Sequence, residues 1–456
     1  MKIKIELLEP LEGNLVGIKL CFTNKEDLEI KVPLKIQFEP LYDFSKDTTS
    51  SSFDLFLISS IVYGIDNLFD RHSYSIDGWA RDFEVTLPVR NIRLWQNTKN
   101  IFEECLKFLT GDYWEISFTE IELESLYYPR RNRLKSKITL YDKNRYQFAS
   151  LFSGGLDSLV GAVDLLEQLE SFSKILLISH FDSNSVGPNS DQWKLYNYLS
   201  TKYINKISWI QSTITLNNVD DQNKSIAKDS NYRSRSILFL GIANYLINTM
   251  QHVNKLVIPE NGTISLNYPL TLSRSSSLST RTTHPYFLDK LNQVLFNLHI
   301  PTNIINPYHL KTKGELIDEC LNKSILEGIY QESVSCGKRG RRQYWEIKTG
   351  TSHCGICMPC IYRRAALNKV NWDGQLYGNN LLSVMSFDAF KDLPALIDYL
   401  NTDLSQERIM RKLLINGSLS LDSLYQYADL IIRSRSELKN WISSKGNAEI
   451  KTMIGI

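Results

Sequence analysis

Residues 146–166 read Tyr-Gln-Phe-Ala-Ser-Leu-Phe-Ser-Gly-Gly-Leu-Asp-Ser-Leu-Val-Gly-Ala-Val-Asp-Leu-Leu. The apolar run over 146–152 predicts a strand, and the run over 158–169 predicts a helix, with a glycine-rich turn between them. Such a turn suits phosphate, because glycines let the backbone approach a ligand closely and the first N–H groups of a helix attract anions. The stretch therefore predicts a phosphate-binding unit. The alternative is a tight strand-to-helix turn without a ligand.

Residues 153–158 form the string S-G-G-x-D-S, which is the signature of the PP-loop ATP pyrophosphatases. It differs from a Walker loop, which needs G-x-x-x-x-G-K-[ST]. PP-loop enzymes cleave ATP to AMP and pyrophosphate and adenylate an oxygen. The resemblance implies that Ser153 and Asp157 are catalytic, with Asp157 orienting the loop or holding Mg²⁺. The ATP-binding residues that it implies are Ser153, Gly154, Gly155, Leu156, Asp157 and Ser158.

Four cysteines form a second motif: Cys336, Cys354, Cys357 and Cys360. The last three recur at every third position of Cys-Gly-Ile-Cys-Met-Pro-Cys, and four thiolates suit a closed, structural zinc site. An iron–sulfur cluster is the main alternative, and a redox dithiol or a disulfide is a weaker one. The other cysteines are isolated in apolar or helical patterns, which predicts that they pack as small apolar residues: Cys21, Cys105 and Cys320.

The two motifs in this order resemble the QueC family of 7-cyano-7-deazaguanine synthases, over about residues 145–370. That family ends its zinc site in C-G-x-C-x-x-C-x-x-R, as residues 354–363 do here. The chain departs from QueC in the longer spacing between Cys336 and Cys354, in the loop over 264–283, and in long flanking extensions. These departures are more similar to QatC, the QueC-like member of the Qat anti-phage systems.

The resemblance also implies substrate-site residues. Arg233 and Arg235, at the start of a predicted helix, would neutralise the phosphates, although an exposed helix terminus is the simpler explanation for either. Glu260 and Asn261 have the groups that a guanine edge requires, and Glu260 is alternatively a cap. Arg281 is the candidate for the substrate carboxylate, with Arg274 and His284 as further candidates.

The function implied is that of an AMP-forming carbon–nitrogen ligase with ATP, Mg²⁺ and Zn²⁺ as cofactors. It would adenylate 7-carboxy-7-deazaguanine and join it as an amide to an amine, which for a QatC-like protein is the N-terminus of a partner resembling QatB from the same defence operon. One alternative is the biosynthetic nitrile synthase that uses ammonia. Another is a non-catalytic, nucleotide-binding adaptor in a defence complex.

Alternating strands and helices predict an α/β fold with a doubly wound parallel sheet, like that of the adenine nucleotide alpha hydrolases. The ligand edge of such a sheet lies at the carboxyl ends of the strands. We expect three parts: an N-terminal α+β domain (1–145), a PP-loop ATPase domain with a four-cysteine zinc lobe (146–375) and a C-terminal helical region (376–456). In the first part, Asp66, Asp70 and Arg71 predict a structural salt bridge.

Composition restricts the classes of partner. The chain has 456 residues and a net charge of +2, so bulk electrostatics do not predict nucleic-acid binding. No apolar run is long enough to span a bilayer, and the N-terminus lacks a secretory pattern. Free thiols and ATP dependence predict a cytoplasmic protein without a membrane partner.

Overall fold

The computed structural model describes residues 1–24, 26–130, 140–183, 187–229, 233–250, 252–268, 281–383, 392–415 and 417–456. Within these residues, ten strands form one sheet in the order β10-β9-β6-β7-β8-β3-β2-β1-β4-β5. The strands are β1 (Lys2–Leu8), β2 (Gly17–Thr23), β3 (Glu29–Ile36), β4 (Asp82–Val89), β5 (Tyr113–Glu120), β6 (Tyr146–Leu151), β7 (Lys174–Phe181), β8 (Ile207–Leu216), β9 (Lys255–Val257) and β10 (Asn303–Ile305).

Helices surround this sheet and form the C-terminal part of the chain. They are α1 (Glu39–Ser45), α2 (Ser51–Leu68), α3 (Arg71–Tyr74), α4 (Ile92–Thr110), α5 (Leu156–Glu167), α6 (Pro188–Lys202), α7 (Arg235–Ile247), α8 (Gly262–Leu266), α9 (Pro285–Asn297), α10 (Lys313–Asp318), α11 (Lys323–Glu327), α12 (Met358–Lys369), α13 (Asp392–Asn401), α14 (Gln406–Ile415), α15 (Leu421–Lys445) and α16 (Ala448–Met453).

The strands β6 to β10 form the parallel half of the sheet. Their order is β10-β9-β6-β7-β8, so the chain winds one way from β6 to β8 and then returns to the other side of β6 with β9. The α/β prediction is confirmed. In open sheets of this kind, the point where the strand order reverses leaves a crevice at the carboxyl ends of the strands. Here that crevice lies between β6 and β9.

Both faces of the parallel half are covered. Alternate residues of β7 face opposite sides, as the period of two in a strand requires. Leu176 and Ile178 join an apolar cluster with α2 and α7, whereas Ile175 and Leu177 join another with α5 and α6. Strands that are buried on both faces read as nearly continuous apolar runs, which is why the sequence predicted them well.

The first part of the chain continues the same sheet. Strand β3 pairs antiparallel with β8, so β1 to β5 extend the parallel half beyond its edge. The predicted boundary at residue 145 falls directly before β6, and the division into domains stays a prediction. The α2 helix packs closely on α7, and Phe56 of α2 stacks on Tyr245 of α7 at a centroid distance of 5.4 Å.

A network of buried charges lies where these two parts meet; we call it the ion network, and its members are Asp66, Arg71, Arg81, Asp112 and Asp229. The salt bridge predicted between Asp66 and Arg71 is present, with an N–O distance of 3.5 Å. Asp70 instead accepts a hydrogen bond from the backbone N–H of Ser73 as the N-cap of α3.

Strong pairing makes Asp112 the centre of this network. Its carboxylate accepts hydrogen bonds from Arg71 at 2.6 Å and from Arg81 at 2.7 Å. Asp66 also accepts the backbone N–H groups of Arg233 and Ser234 at 2.6 and 2.7 Å. A carboxylate at a helix N-terminus is favourable, so the network fixes the start of α7.

The C-terminal helices form an apolar cluster of their own with α8 and α12. Helix α15 contacts α12 and α14, and its Trp441 is fully buried. In the described part of the chain, no helix has both the length and the hydropathy that a membrane span requires.

Candidate functional site

The serine–glycine loop, residues 153–158, connects β6 to α5 at the crevice described above. Gly154 has a φ of +86°, in the region that favours glycine, and a Cβ there would lie 3.2 Å from Cγ of Gln192. The Ser153 Oγ accepts the N–H of Gly155 at 3.3 Å, and the Ser158 hydroxyl donates to the Gly155 carbonyl at 2.9 Å. The loop is thus an ordered turn that leads into the N-terminus of a twelve-residue helix.

The side chain of Asp157, within this loop, is buried. Its carboxylate pairs with the Lys313 ammonium and accepts a hydrogen bond from the Asn261 amide at 2.6 Å. Burial by itself would raise the pKa of Asp157, but the Lys313 charge and hydrogen bonds from Glu260, Lys313 and Asn261 lower it to about 2. Asp157 therefore ties the loop to the strand end across the crevice.

Glu260 and Asn261 follow β9 and differ in what they can offer a ligand. The Asn261 amide is used internally, because its oxygen caps α8 at Ile264 N–H and its nitrogen donates to Asp157. The Glu260 side chain lines the cavity beside the loop. Burial and the nearby Asp157 carboxylate raise the pKa of Glu260 well above its usual range. Two adjacent carboxyl groups thus lie beside the loop, and the charge of Asp157 disfavours ionisation of Glu260.

A cavity of about 1020 Å³ opens in front of the loop. Its wall combines loop hydroxyls, the end of β9, the start of α7 and a segment that leads into the cysteine motif. The charged and hydroxyl-bearing lining residues are Ser153, Ser158, Asp191, Arg235, Ser236, Glu260, Thr282, Thr283, Ser335, Arg339 and Arg342.

The two predicted phosphate arginines lie in different surroundings. Arg235 lines the cavity, with its guanidinium 5.4 Å from the Phe239 ring centroid. Arg233 is buried and packs over Trp79 at 4.5 Å, beside the ion network. Burial and the neighbouring Arg71 and Arg281 charges lower the pKa of Arg233 to about 10. The structure therefore brings Arg235, and not Arg233, to the cavity.

Arg281 and His284 also lie away from the cavity wall. Arg281 donates to the Phe108 carbonyl at 3.1 Å and packs over the Phe108 ring at 4.6 Å. His284 is the buried N-cap of α9, and burial lowers its pKa to about 3. Their neighbours Thr282 and Thr283 line the cavity instead. Arg274 and most of the loop over 264–283 lie outside the described residues.

The four motif cysteines come together. The sulfurs of Cys336, Cys354, Cys357 and Cys360 all lie within 4.8 Å of one another, and those of Cys354 and Cys360 are 3.8 Å apart. Zinc–sulfur bonds of about 2.3 Å in a tetrahedron put sulfurs about 3.8 Å apart, so the cluster fits a metal ion such as zinc. Backbone N–H groups at Ile356 and Cys357 donate to the Cys354 sulfur. The remaining cysteines, Cys21, Cys105 and Cys320, are buried. Cys105 and Cys320 join apolar clusters, as predicted, whereas the Cys21 thiol donates to the Glu6 carboxylate at 3.6 Å.

The cysteine cluster adjoins the serine–glycine loop. The Val334 N–H donates to the Gly154 carbonyl at 2.9 Å, two residues before Cys336. His353 lies between these parts: its Nε2 accepts the Ser335 N–H at 3.3 Å, and burial lowers its pKa to about 2. A metal at the cluster would therefore fix one wall of the cavity, because the same short segment carries a ligand and bonds the loop.

Sequence reasoning missed Lys313 here. It placed the loop that ends at Asp191 at this edge of the sheet, and it interpreted the basic run over 338–342 as a solvated loop or a phosphate or partner contact, but it did not pair Arg339 with Asp191. Lys313 begins α10 after the cap Thr312, and a cation in a first helical turn opposes the dipole. This unfavourable position of Lys313 indicated, from the sequence alone, that it has a buried anionic partner. Asp191 and Arg339 form an ion pair across the cavity, and no local pattern in the sequence announces a contact over that separation.

No family model, curated protein or solved structure matches this chain.

Proposed function

We propose that this chain is an AMP-forming, ATP-dependent carbon–nitrogen ligase of the QueC-like type. The observation that carries the proposal is the position of the serine–glycine loop. It lies at the reversal point of the strand order, where such sheets bind ligands, and it faces a large cavity. The loop hydroxyls, the α5 N-terminus and Arg235 are suited to the phosphates of ATP.

The proposed substrate is 7-carboxy-7-deazaguanine, as the QueC resemblance implies. A carboxylate oxygen of the substrate attacks the α-phosphorus of ATP, and pyrophosphate leaves with the electrons of the broken P–O bond. An amine nitrogen then attacks the acyl carbon, AMP leaves with the C–O bond electrons, and the nitrogen loses a proton. Glu260, at the cavity wall, is the acceptor for a guanine N–H edge or for a cation.

The carboxyl pair supports the Mg²⁺ proposal. Asp157 and Glu260 are adjacent carboxyl groups beside the loop, and burial and the Asp157 charge raise the pKa of Glu260. A divalent cation would offset the repulsion between two carboxylates, so these residues would hold Mg²⁺, which neutralises phosphate charge when it is bound. The cysteine cluster takes the structural Zn²⁺ of the proposal.

For a QatC-like protein the acceptor would be the N-terminal amine of a QatB-like partner. Such an amine titrates near neutrality, so a useful fraction is the nucleophilic free base. The cavity is large enough for more than a nucleotide alone, which supports a chain end as the acceptor.

The test is product analysis by mass spectrometry. The protein is incubated with ATP, 7-carboxy-7-deazaguanine and either ammonia or proteins of neighbouring genes. We expect AMP and pyrophosphate, and a partner protein that gains the deazaguanine acyl mass on its first residue. Free nitrile with an unmodified partner would favour the biosynthetic reaction, and ATP binding without turnover would favour an adaptor.

Variants of the loop sharpen this test. Ser153→Ala should lower the rate of pyrophosphate release by roughly tenfold or more, because it removes a hydroxyl donor at the phosphates. Ser190→Ala is the matched control, since Ser190 is exposed on α6 and, among the residues that the structure describes, donates to the Gly187 carbonyl. Equal rates in the two variants would contradict the role of Ser153.

A further inference from the structure

The segment that leads into the cysteine cluster forms one wall of the cavity. Val334, Ser335, Cys336, Gly337 and Arg339 all line it. Because Val334 is bonded to the serine–glycine loop, the side chain of Arg339 is carried to the same space as the loop. Residues 334–342 therefore bring two arginines, Arg339 and Arg342, to the cavity, in addition to Arg235 on α7.

Arg339 reaches across the cavity to α6. Its Nη1 pairs with the carboxylate of Asp191, in the first turn of that helix, and the two side chains are 28% and 8% exposed. A Cβ placed on Gly187 would lie 2.3 Å from Arg339 Nη1, so the absence of a side chain there lets the guanidinium approach. The Asp191 Cβ in turn is 3.5 Å from the ideal Cβ position of Gly154. The ion pair therefore adjoins the loop.

The ion pair between Arg339 and Asp191 offsets a negative charge beside the loop. A carboxylate beside a phosphate-binding loop would repel an anionic ligand, and Arg339 neutralises it. A guanidinium has five N–H donors in a planar fork, and the bond to Asp191 uses only one nitrogen of Arg339. The remaining donors are suited to two oxygens of a phosphate.

We infer that Arg339 binds the phosphates of the nucleotide and that Asp191 is the positioning residue that orients its guanidinium. This inference rests on the proposed function, because it takes ATP as the ligand of the cavity. The other cations of the basic run over 338–342 are arranged differently. Arg342 also lines the cavity, but its guanidinium donates to the Thr351 carbonyl and lies 5.9 Å from the Trp345 ring centroid. Lys338 pairs with Asp392 at 3.2 Å, and Arg341 is exposed and is not part of the cavity lining.

The first test is calorimetric binding of ATP, pyrophosphate and adenosine to the full, zinc-loaded chain. Arg339→Gln should weaken ATP and pyrophosphate binding roughly tenfold or more and leave adenosine binding unchanged. Arg341→Gln is the matched control, because it removes the same charge from the same segment outside the cavity. If Arg339→Gln binds ATP as Arg341→Gln does, the inference is wrong while the proposed function stands.

The second test is a double-mutant cycle with Asp191→Asn. This variant should weaken ATP binding less than Arg339→Gln, and it should add no further loss in the Arg339→Gln background, because Asp191 acts through Arg339. Additive losses, or tighter ATP binding by Asp191→Asn alone, would overturn the positioning role. A wild-type chain that binds neither ATP nor pyrophosphate would overturn the inference and the proposed function together. Equal zinc content and melting temperature confirm that each variant is folded.

Discussion

The ion network and the cavity wall both contain several charged side chains, and the two regions differ in how those charges are paired. In the network, Asp112 is fully buried and is bonded by two arginines on neighbouring elements. At the cavity, Arg235 and Glu260 line the wall, and four cysteine sulfurs converge beside it within 4.8 Å of one another. The charges of the network are paired with one another inside the protein, whereas the cavity wall has groups that a bound ion or phosphate would complete.

This difference separates structure from proposed function. Buried charges that are paired within the protein hold elements in place, and here they fix the start of α7, the helix that carries Arg235. Charges that face a cavity at the end of a sheet are the ones available to a ligand. The three predictions below test this division, in order of expected effect.

Loss of the proposed metal should have the largest effect, and it should be confined to the cavity side. Cys354→Ser removes one of four ligands, and structural zinc contributes on the order of 10 kcal/mol to small metal domains. We expect metal content to fall from one zinc per chain to none. We also expect amide hydrogen exchange to rise over residues 334–342 and the serine–glycine loop, with no rise in α4.

Cys320→Ser is the control for this experiment, because Cys320 is buried in a different apolar cluster and should leave the zinc content at one. Elemental analysis gives the metal, and exchange measured by mass spectrometry gives the extent of loosening. Iron and sulfide in place of zinc would refute the zinc assignment. A rise in amide hydrogen exchange that extends to the ion network would contradict the proposed division between paired structural charges and charges that face a ligand.

Removal of one partner from the ion network should have the next largest effect. Asp112→Asn leaves Arg71 and Arg81 buried with one carboxylate fewer, and such a loss costs about 3–5 kcal/mol. Burial by itself would raise the pKa of Asp112, but both arginines outweigh it and keep the pKa below its usual range. The free energy of unfolding, measured with denaturant, should fall by that amount.

Glu84→Gln is the matched control, since Glu84 pairs with Lys2 on the surface, where an ion pair contributes about 1 kcal/mol or less. Because the pKa of Asp112 is lower in the folded than in the unfolded chain, its contribution to stability is present above about pH 4 and is lost as pH falls below that. If Asp112→Asn costs no more than Glu84→Gln, the network is not what joins the two parts.

Much of the fold could be predicted from the sequence because each signal was local. The apolar run over 146–152 predicted strand β6 nearly to the residue, and the cysteine spacing predicted the cluster of four sulfurs. Strand β10 was missed, since three residues are too few for a periodic pattern. The joining of β3 to β8 was missed because a pairing between residues so far apart along the chain leaves no local trace.

The site was predictable to the same extent. The loop and Glu260 were identified by motif and lie together at the crevice. Arg233 and Arg235 looked alike in the sequence, yet only Arg235 faces the cavity, because the Arg233 guanidinium packs over Trp79 from the N-terminal part of the chain. Tertiary contacts of this kind decide which of two neighbouring cations is available, and no pattern within the segment contains them.

The smallest expected effect concerns a third kind of buried ionisable group, one that stays neutral. His180 is fully buried between Tyr63 and Phe239, and burial lowers its pKa to about 3. An unfolded histidine has a pKa of about 6.5, so the unfolded chain binds more protons at pH 5. Stability is therefore lost as pH falls below 6.5. For this group the loss at pH 5 is about 2 kcal/mol.

His180→Gln should remove that part of the pH dependence, because a glutamine takes up no proton and can still donate to the Ile214 carbonyl that His180 contacts at 3.2 Å. The measurement is the free energy of unfolding at pH 7 and pH 5 for wild type and variant. His252→Gln is the matched control, since His252 is exposed and should keep the wild-type dependence. The same pH dependence in both variants would mean that His180 is protonated inside the folded protein, and a buried cation would then lie beside Arg235 at the cavity.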